Sequence, residues 1–203
     1  MPEHRQTVVV PGVTIGDRLH KSVTQTMVDG STISAWLPYI TERLGREPRG
    51  LRDIVAWDSS GRPAVIQVAS LVDGKPFPTL FWLIDPELTL AIDRLEAGGA
   101  IARLQKRVDE SPDLRAAMLA DHEKHKSLRR SKMTPEEREF LEASGMMAAF
   151  TRRGIGGIGE PSRIRCLHTW YAAHWVQPNA IGMLVDQMLA GTDCPDSVSF
   201  EMS

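Results

Sequence analysis

From about residue 53 to residue 84 the chain carries three short apolar runs separated by turns, and after them the apolar residues follow a helical period. The runs are Ile54–Trp57, Ala64–Ala69 and Thr79–Ile84, each of the length and composition of a strand. Strands followed by helices predict an α+β fold, with a small antiparallel sheet over about residues 53–84 covered by C-terminal helices. Because Thr79–Ile84 is apolar at both alternating sets of positions, it is predicted to be the central strand.

Capping residues predict where several of the helices after the sheet begin. Asp85 followed by Pro86 is typical of an N-cap and a first helical residue, and Ser111-Pro112 repeats the pattern. The segment Thr134-Pro-Glu-Glu137 is a capping box with proline at its first helical position. Two more helices are predicted, from about Arg163 to Val176 and from Ala180 to Leu189.

Three parts of the chain are distinguished. Residues 1–43 are predicted to be an N-terminal extension, with a strand at Thr7–Val10 and a helix that Ser31 or Thr32 caps and that runs to about Leu44. Residues 44–190 form the main domain, and residues 191–203 form a tail.

Composition and charge exclude several classes of protein. The formal net charge of -2 and the pI near 6.3 give no global attraction to nucleic acid or to anionic membranes. Two cysteines in 203 residues do not make a disulfide framework, and the sequence has no apolar run long enough for a transmembrane helix or a signal peptide. A cytoplasmic protein is expected, and a homo-oligomer is compatible with the sequence.

Cys166 and His168 form the first candidate site. Thiolate and imidazole bind zinc or iron, and the same two groups can act as a nucleophile and its base. Residues two apart point away from each other on a helix, so they share a ligand only at a helix end or in a loop. The alternative is a buried structural cysteine. His122 and His125, at i and i+3, suit a proton relay or ordinary core packing.

The glycine-rich segment from Gly154 to Gly159 lies between two pairs of arginines. Backbone N–H groups beside arginines suit a phosphate or carboxylate, which predicts a mobile lid over an anion site. A hinge between helices is the alternative reading of the same glycines. The predicted substrate-binding residues are Arg153, Gly156, Gly157, Arg165 and Asn179.

Seven segments together resemble one known family. They are Leu44-Gly-Arg-Glu-Pro-Arg-Gly50, Gly61-Arg-Pro-Ala-Val65, Asp73-Gly-Lys-Pro-Phe-Pro-Thr-Leu80, Leu95-Glu96, Gly154-Ile-Gly-Gly-Ile158, Arg165-Cys-Leu-His168 and Asn179-Ala-Ile-Gly182. From about residue 44 to residue 189 the chain resembles the bacterial family catalogued as domain of unknown function 501. The family has no agreed activity, so the resemblance implies kinship and not a reaction.

Departures from the family pattern suggest a divergent member with an altered metal site. Members usually carry cysteine where this chain has Asp58 and Asp85, whereas Cys166 and His168 are retained. The resemblance implies a metal or iron–sulfur site built from these positions, and two carboxylates in place of thiolates favour zinc, manganese or iron(II) over a cluster. A lost metal site, with Asp85 acting only as a helix cap, is the alternative. His174 replaces the family's second histidine at a different spacing.

The function predicted from these residues is metal-dependent hydrolysis or group transfer on a small anionic substrate. Asp58, Asp85, Cys166 and His168 are the predicted metal ligands, and His122 is the predicted acid or base. Two alternatives are a non-catalytic adaptor that binds a protein partner and a thiol-dependent enzyme that uses Cys166. Contact with RNA through the arginines near the glycine-rich segment is disfavoured by the acidic balance of the chain.

Overall fold

Residues 22–23 and 30–191 are described by the computed structural model of the chain. The predicted strand at Thr7–Val10, the rest of the N-terminal extension and the tail from residue 192 lie outside the described residues. None of the described helices is long and apolar enough to cross a membrane.

The described strands form a mixed α+β fold with a small antiparallel sheet, as the sequence predicts. The sheet has the strand order β1-β2-β3-β6, and a separate two-stranded hairpin joins β4 to β5. The strands are β1 (Ser22–Val23), β2 (Leu51–Trp57), β3 (Pro63–Val68), β4 (Leu71–Val72), β5 (Lys75–Pro76) and β6 (Phe81–Leu83).

Eight α-helices make up most of the described chain outside the strands. The capped starts at Asp85, Ser111 and Thr134 are as the sequence predicts, and the box between Thr134 and Glu137 is complete in both directions. The helices are α1 (Gly30–Leu44), α2 (Pro86–Ala97), α3 (Ala100–Glu110), α4 (Pro112–Lys132), α5 (Pro135–Ala143), α6 (Met147–Thr151), α7 (Leu167–Val176) and α8 (Ala180–Leu189), with a short 3₁₀ turn at Ile155–Gly157.

The prediction that Thr79–Ile84 forms the central strand is wrong. In the described sheet β3 is central, with all six residues buried, and β6 pairs only with β3. The run is apolar on both faces for another reason, because helices cover both sides of the sheet. Phe81 packs into the core made with the C-terminal helices, whereas Ile84 packs into a second core against α1.

Alternate residues of the other strands are divided between the same two layers. On β2, Val55 belongs to the core with the C-terminal helices and Ile54 to the core with α1, as the two-residue period of a strand requires. Helix α7 makes extensive contact with β6 and with α8. The sheet therefore fixes α7 in place, and α7 carries Cys166 and His168 at its start.

Candidate metal centre

Helices α2 and α7 lie side by side and run in opposite directions. The C-terminal turn of α2 meets the start of α7, where the carboxylate Oε1 of Glu96 accepts a hydrogen bond of 2.6 Å from the backbone N–H of Leu167. At the other end of the pair, Trp175 of α7 and Leu88 of α2 line one cavity. The side chain of Cys166, the N-cap residue of α7, accepts no hydrogen bond from the backbone of the helix, and the Glu96 carboxylate serves as the cap instead.

Three potential metal ligands meet at the start of α7. The Sγ of Cys166 lies 3.7 Å from Nδ1 of His168, and that nitrogen lies 3.4 Å from Oε1 of Glu96. All three ligand atoms lie within 4.8 Å of one another. Cys166 and His168 converge although they are two apart, because Cys166 has the extended backbone of an N-cap, with φ of -155° and ψ of 124°.

The imidazole of His168 is oriented by α2. Its Nε2 lies 3.3 Å from the carbonyl oxygen of Thr89 and 3.3 Å from Oδ1 of Asp93. Two acceptors on this side favour a proton on Nε2, so Nδ1, which faces Cys166 and Glu96, is the nitrogen that would bind a metal once the ion displaces its proton. Metal-binding histidines are commonly held in this way, by a carboxylate or carbonyl on the second ring nitrogen.

The local electrostatics favour negative charge beside His168. The hydrogen bond that protonated His168 donates to Cys166, supported by the charges of Cys166 and Glu96 and by the Thr89 carbonyl, raises the pKa of His168 to about 9 against the effect of burial. The N-terminal end of α7 also favours anions, through its unsatisfied N–H groups and dipole. With His168 and Glu96 retaining 22% and 25% side-chain exposure, a small solute reaches the cluster from solvent.

The four predicted metal ligands do not meet at one point, and this prediction is corrected. Within the described residues the cluster contains Cys166 and His168 but neither Asp58 nor Asp85. The reason is the period of α2, at about 100° per residue. Thr89, Asp93 and Glu96 share the face toward His168. Asp58 and Asp85 line a cavity at the start of α2 together with Glu87, Leu88, Leu90, Ala91 and Arg94, most of which lie on the opposite side of the helix.

Asp58 and Asp85 have structural partners of their own. The Oδ1 of Asp58 accepts hydrogen bonds of 2.8 Å from the N–H groups of Ser60 and Arg62, and its Oδ2 pairs with the Arg62 guanidinium. Asp85 caps α2 by accepting from Glu87 and Leu88, and its burial raises its pKa. Both line a cavity of about 230 Å³ at the start of α2.

His122 lies in the core, with both ring nitrogens engaged. Nδ1 accepts a 3.0 Å hydrogen bond from the N–H of Ile155, and Nε2 lies 3.1 Å from the Pro161 carbonyl. Burial lowers the pKa of His122 to about 4, so the ring is neutral near pH 7. This geometry makes it an anchor for the glycine-rich segment and leaves it no nitrogen for the predicted acid–base role. Its neighbour His125 is also buried, and burial lowers the pKa of His125 to about 3.

The glycine-rich segment is packed into the fold. Ile155 and Ile158 are buried in the main core, and the N–H groups of Gly154 and Gly157 donate to backbone carbonyls within the segment. These donors are therefore unavailable to an anion, contrary to the predicted lid. Of the predicted substrate-binding residues, Arg153 and Gly157 line a cavity of about 330 Å³ beside Phe150 and Pro78, separate from the cluster.

The other predicted substrate-binding residues are dispersed. A Cβ on Gly156 would lie 2.5 Å from Oγ1 of Thr169, so this glycine is required by packing against α7. Asn179 is buried and caps α8, accepting from Gly182 and donating to the Trp170 carbonyl. Arg165 is exposed and adjoins Cys166 in sequence, which leaves it the predicted anion-binding residue nearest the cluster along the chain.

Sequence reasoning missed the partners that α2 contributes. The sequence indicates Glu96 only through the family resemblance, and it gives no separate sign of Thr89 or Asp93. Their spacing of i, i+4 and i+7 is a signal for one polar helical face. It gives no indication, however, that this face turns toward Cys166 and His168.

The fold and the cluster together define an α+β protein with a Glu–Cys–His group at the contact of two antiparallel helices. Residues 54–187 match the family model described as Protein of unknown function (DUF501), and the chain belongs to that family. Searches among curated proteins and among solved structures return no match.

Proposed function

We propose that this protein binds one divalent metal ion through Glu96, Cys166 and His168 and uses it for hydrolysis or group transfer on a small anionic substrate. The observation that carries the proposal is the spacing of the three ligand atoms. With zinc bonds of about 2.0–2.3 Å at tetrahedral angles, a nitrogen and a sulfur lie about 3.6 Å apart and a nitrogen and an oxygen about 3.4 Å apart. The distances here are 3.7 Å and 3.4 Å.

The donor set also matches a divalent ion in charge and in chemistry. A thiolate and a carboxylate neutralise two positive charges, and the neutral imidazole adds none. Thiolate favours zinc or iron over manganese, and the carboxylate is compatible with either metal. The contacts of His168 with Thr89 and Asp93 supply the outer support that such a ligand needs.

Three protein ligands leave a fourth position for water or substrate. This is the pattern of catalytic zinc sites, in which the ion activates water or polarises a substrate oxygen. The partial exposure of Glu96 and His168 is consistent with an accessible fourth position. Arg165, next to Cys166 in the chain and exposed, is the residue we expect to attract an anionic substrate.

Metal content tests the proposal. We expect purified protein to hold about one zinc or iron per chain by elemental analysis, and Glu96→Gln, Cys166→Ser and His168→Gln each to lower that content. Cys194→Ser and Glu139→Gln are the matched controls and should keep it. Equal metal content in the three ligand variants and the controls would exclude this site, as would a metal-free protein that gains no stability from added zinc.

Activity is then measured on the metal-loaded protein with p-nitrophenyl phosphate and p-nitrophenyl acetate as probes. Turnover that disappears in Glu96→Gln, and a KM that rises in Arg165→Ala while kcat is kept, support the assigned roles. If the metal-loaded protein turns over neither probe, these two classes of substrate are excluded and the proposed metal site is unaffected. That result would favour the adaptor alternative.

A thiol-dependent enzyme is the second candidate, because Cys166 lies at a helix N-terminus with His168 3.7 Å away. Both features stabilise a thiolate. The two candidates differ in their need for Glu96, since Glu96 is a ligand in the metal mechanism, whereas in the thiol mechanism Thr89 and Asp93 already orient His168. Chelator-resistant activity that Cys166→Ser abolishes and Glu96→Gln preserves would select the thiol mechanism.

A further inference from the structure

We infer that the cavity between the start of α2 and the end of α7 is a binding site for a small organic amine, with Asp85 as its charged partner. The cavity has a volume of about 230 Å³. It is distinct from the proposed metal site, because it lies at the start of α2, whereas Glu96 lies in the last turn of that helix.

The site is built around a buried carboxylate with one uncommitted oxygen. Asp85 is only 4% exposed, and its Oδ1 receives the hydrogen bonds from Glu87 and Leu88 that cap α2. Its Oδ2 has no hydrogen-bond partner within residues 30–191 and belongs to a side chain that lines the cavity. An unpaired carboxylate oxygen in a mostly apolar cavity favours a ligand that donates a hydrogen bond.

The remaining charges favour a cationic donor over a neutral one. Asp58 is neutralised by its ion pair with Arg62 at 2.8 Å. Glu87 and Arg94 are both exposed where they line the cavity, and their opposite charges offset each other. Asp85 forms no ion pair within residues 30–191, so an ammonium group would supply its counter-charge through a charge-assisted hydrogen bond.

The rest of the lining is apolar and suits the body of such a ligand. Leu88 and Trp175 are buried walls, at 5% and 1% exposure. Leu90 is 49% exposed, so it presents a large apolar side chain to a solvent-facing part of the lining. A compact aliphatic or aromatic group attached to the amine covers this surface, and pockets for small molecules commonly combine an apolar lining with few polar groups.

Titration with phenethylamine, followed by ¹H–¹⁵N correlation spectra, tests the site. We expect shifts confined to the amides of Leu88, Leu90 and Ala91 and to the indole of Trp175. 2-Phenylethanol has the same shape without the charge and should bind at least about tenfold more weakly, as expected for loss of a charge-assisted hydrogen bond.

Asp85→Asn is the decisive variant, because asparagine caps helices about as well as aspartate and so preserves the fold. It should weaken phenethylamine binding by about tenfold or more, whereas Asp113→Asn, at an exposed position in the first turn of α4, should not. Equal binding of the amine and the alcohol would overturn the assignment, as would an unchanged affinity in Asp85→Asn or the absence of shifts at the cavity. Glu96→Gln should bind phenethylamine normally, so this result is independent of the metal proposal.

Discussion

The imidazole of His122 joins two separate parts of the backbone, accepting from the N–H of Ile155 at 3.0 Å and facing the carbonyl of Pro161 at 3.1 Å. One ring from α4 thus holds both ends of the glycine-rich segment. Its 1% exposure and its contact with the Trp170 ring, at 4.9 Å between centroids, fix it against α7. The segment is consequently a packed connection between α6 and α7, and its glycines are required because larger residues would clash with their neighbours.

Gly154→Ala should destabilise the protein through a clash with this ring. A Cβ at Gly154 would lie 2.2 Å from Nδ1 of His122, while the backbone φ of -84° is one that alanine readily adopts. The cost is therefore steric, about 1–3 kcal/mol for overpacking, and is measured by urea unfolding. Gly30→Ala, where an added Cβ meets nothing within 4 Å, is the matched control and should lose no stability.

Gly182→Ala should also be destabilising, against the expectation for a helix. Alanine in place of glycine inside a helix ordinarily adds about 1 kcal/mol of stability. Here the new Cβ would lie 2.2 Å from Cγ of His174, a ring held by the Asn179 N–H and the Asp186 carboxylate. We expect a net loss of about 1–3 kcal/mol in thermal or urea unfolding. A more stable Gly182→Ala protein would show that His174 moves aside at little cost.

His122 should make the metal-free protein less stable in mild acid. Burial holds the folded pKa of His122 at about 4, below its ordinary 6.5. Its contribution is therefore fully present above pH 6.5 and is lost as pH falls toward 4, where the unfolded chain binds the proton first. The stability advantage of wild type over His122→Gln should shrink by roughly 2 kcal/mol between pH 7 and pH 4.5, at about 1.4 kcal/mol per unit of pKa difference.

Urea unfolding in the presence of a chelator measures this difference. His168→Gln is the control with the opposite sign, because the pKa of His168 is raised to about 9. Its contribution is present below pH 6.5 and is lost as pH rises toward 9. A His122→Gln protein with the same acid profile as wild type would show that another group governs acid stability.

Arg129→Lys should destabilise the protein although it keeps the charge. The buried guanidinium of Arg129 donates to the carbonyls of Pro78 and Phe150 and lies 4.6 Å from the Phe150 ring centroid. A lysine ammonium cannot reproduce this fork of donors, so we expect a loss of about 2–4 kcal/mol. Arg130→Lys changes an exposed neighbour and should alter stability by less than about 0.5 kcal/mol. Equal effects would mean that the buried contacts contribute little.

The fold was predictable where local chemistry decides it. The capping residues Asp85, Ser111 and Thr134 mark helix starts through contacts within one turn, and the structure places them as expected. The position of Thr79–Ile84 in the sheet was not predictable from its apolarity. A strand that is apolar at every position is buried on both faces of the sheet. This pattern is the same for a central strand and for an edge strand that helices cover on both faces, so the sequence does not distinguish them.

Only the part of the candidate site that is local in sequence was predictable. Cys166 and His168 form a local pair, and the requirement for a helix end between them is met at the N-cap of α7. Glu96 lies 70 residues earlier than Cys166 and reaches the pair only because α2 and α7 pack side by side. Asp58 and Asp85 both line one cavity, but nothing in the sequence reveals that the length of α2 separates them from Cys166.

That separation has a consequence for how the chain can vary. Helix α2 (Pro86–Ala97) contributes residues to two sites. Thr89, Asp93 and Glu96 contact or belong to the metal-ligand cluster, whereas Leu90, Ala91 and Arg94 line the cavity. Adjacent residues of α2 are therefore constrained by different sites. The residues of one face can therefore be substituted in evolution without changing the other site, provided that the buried residues Leu88 and Ile92 still pack the helix against the core.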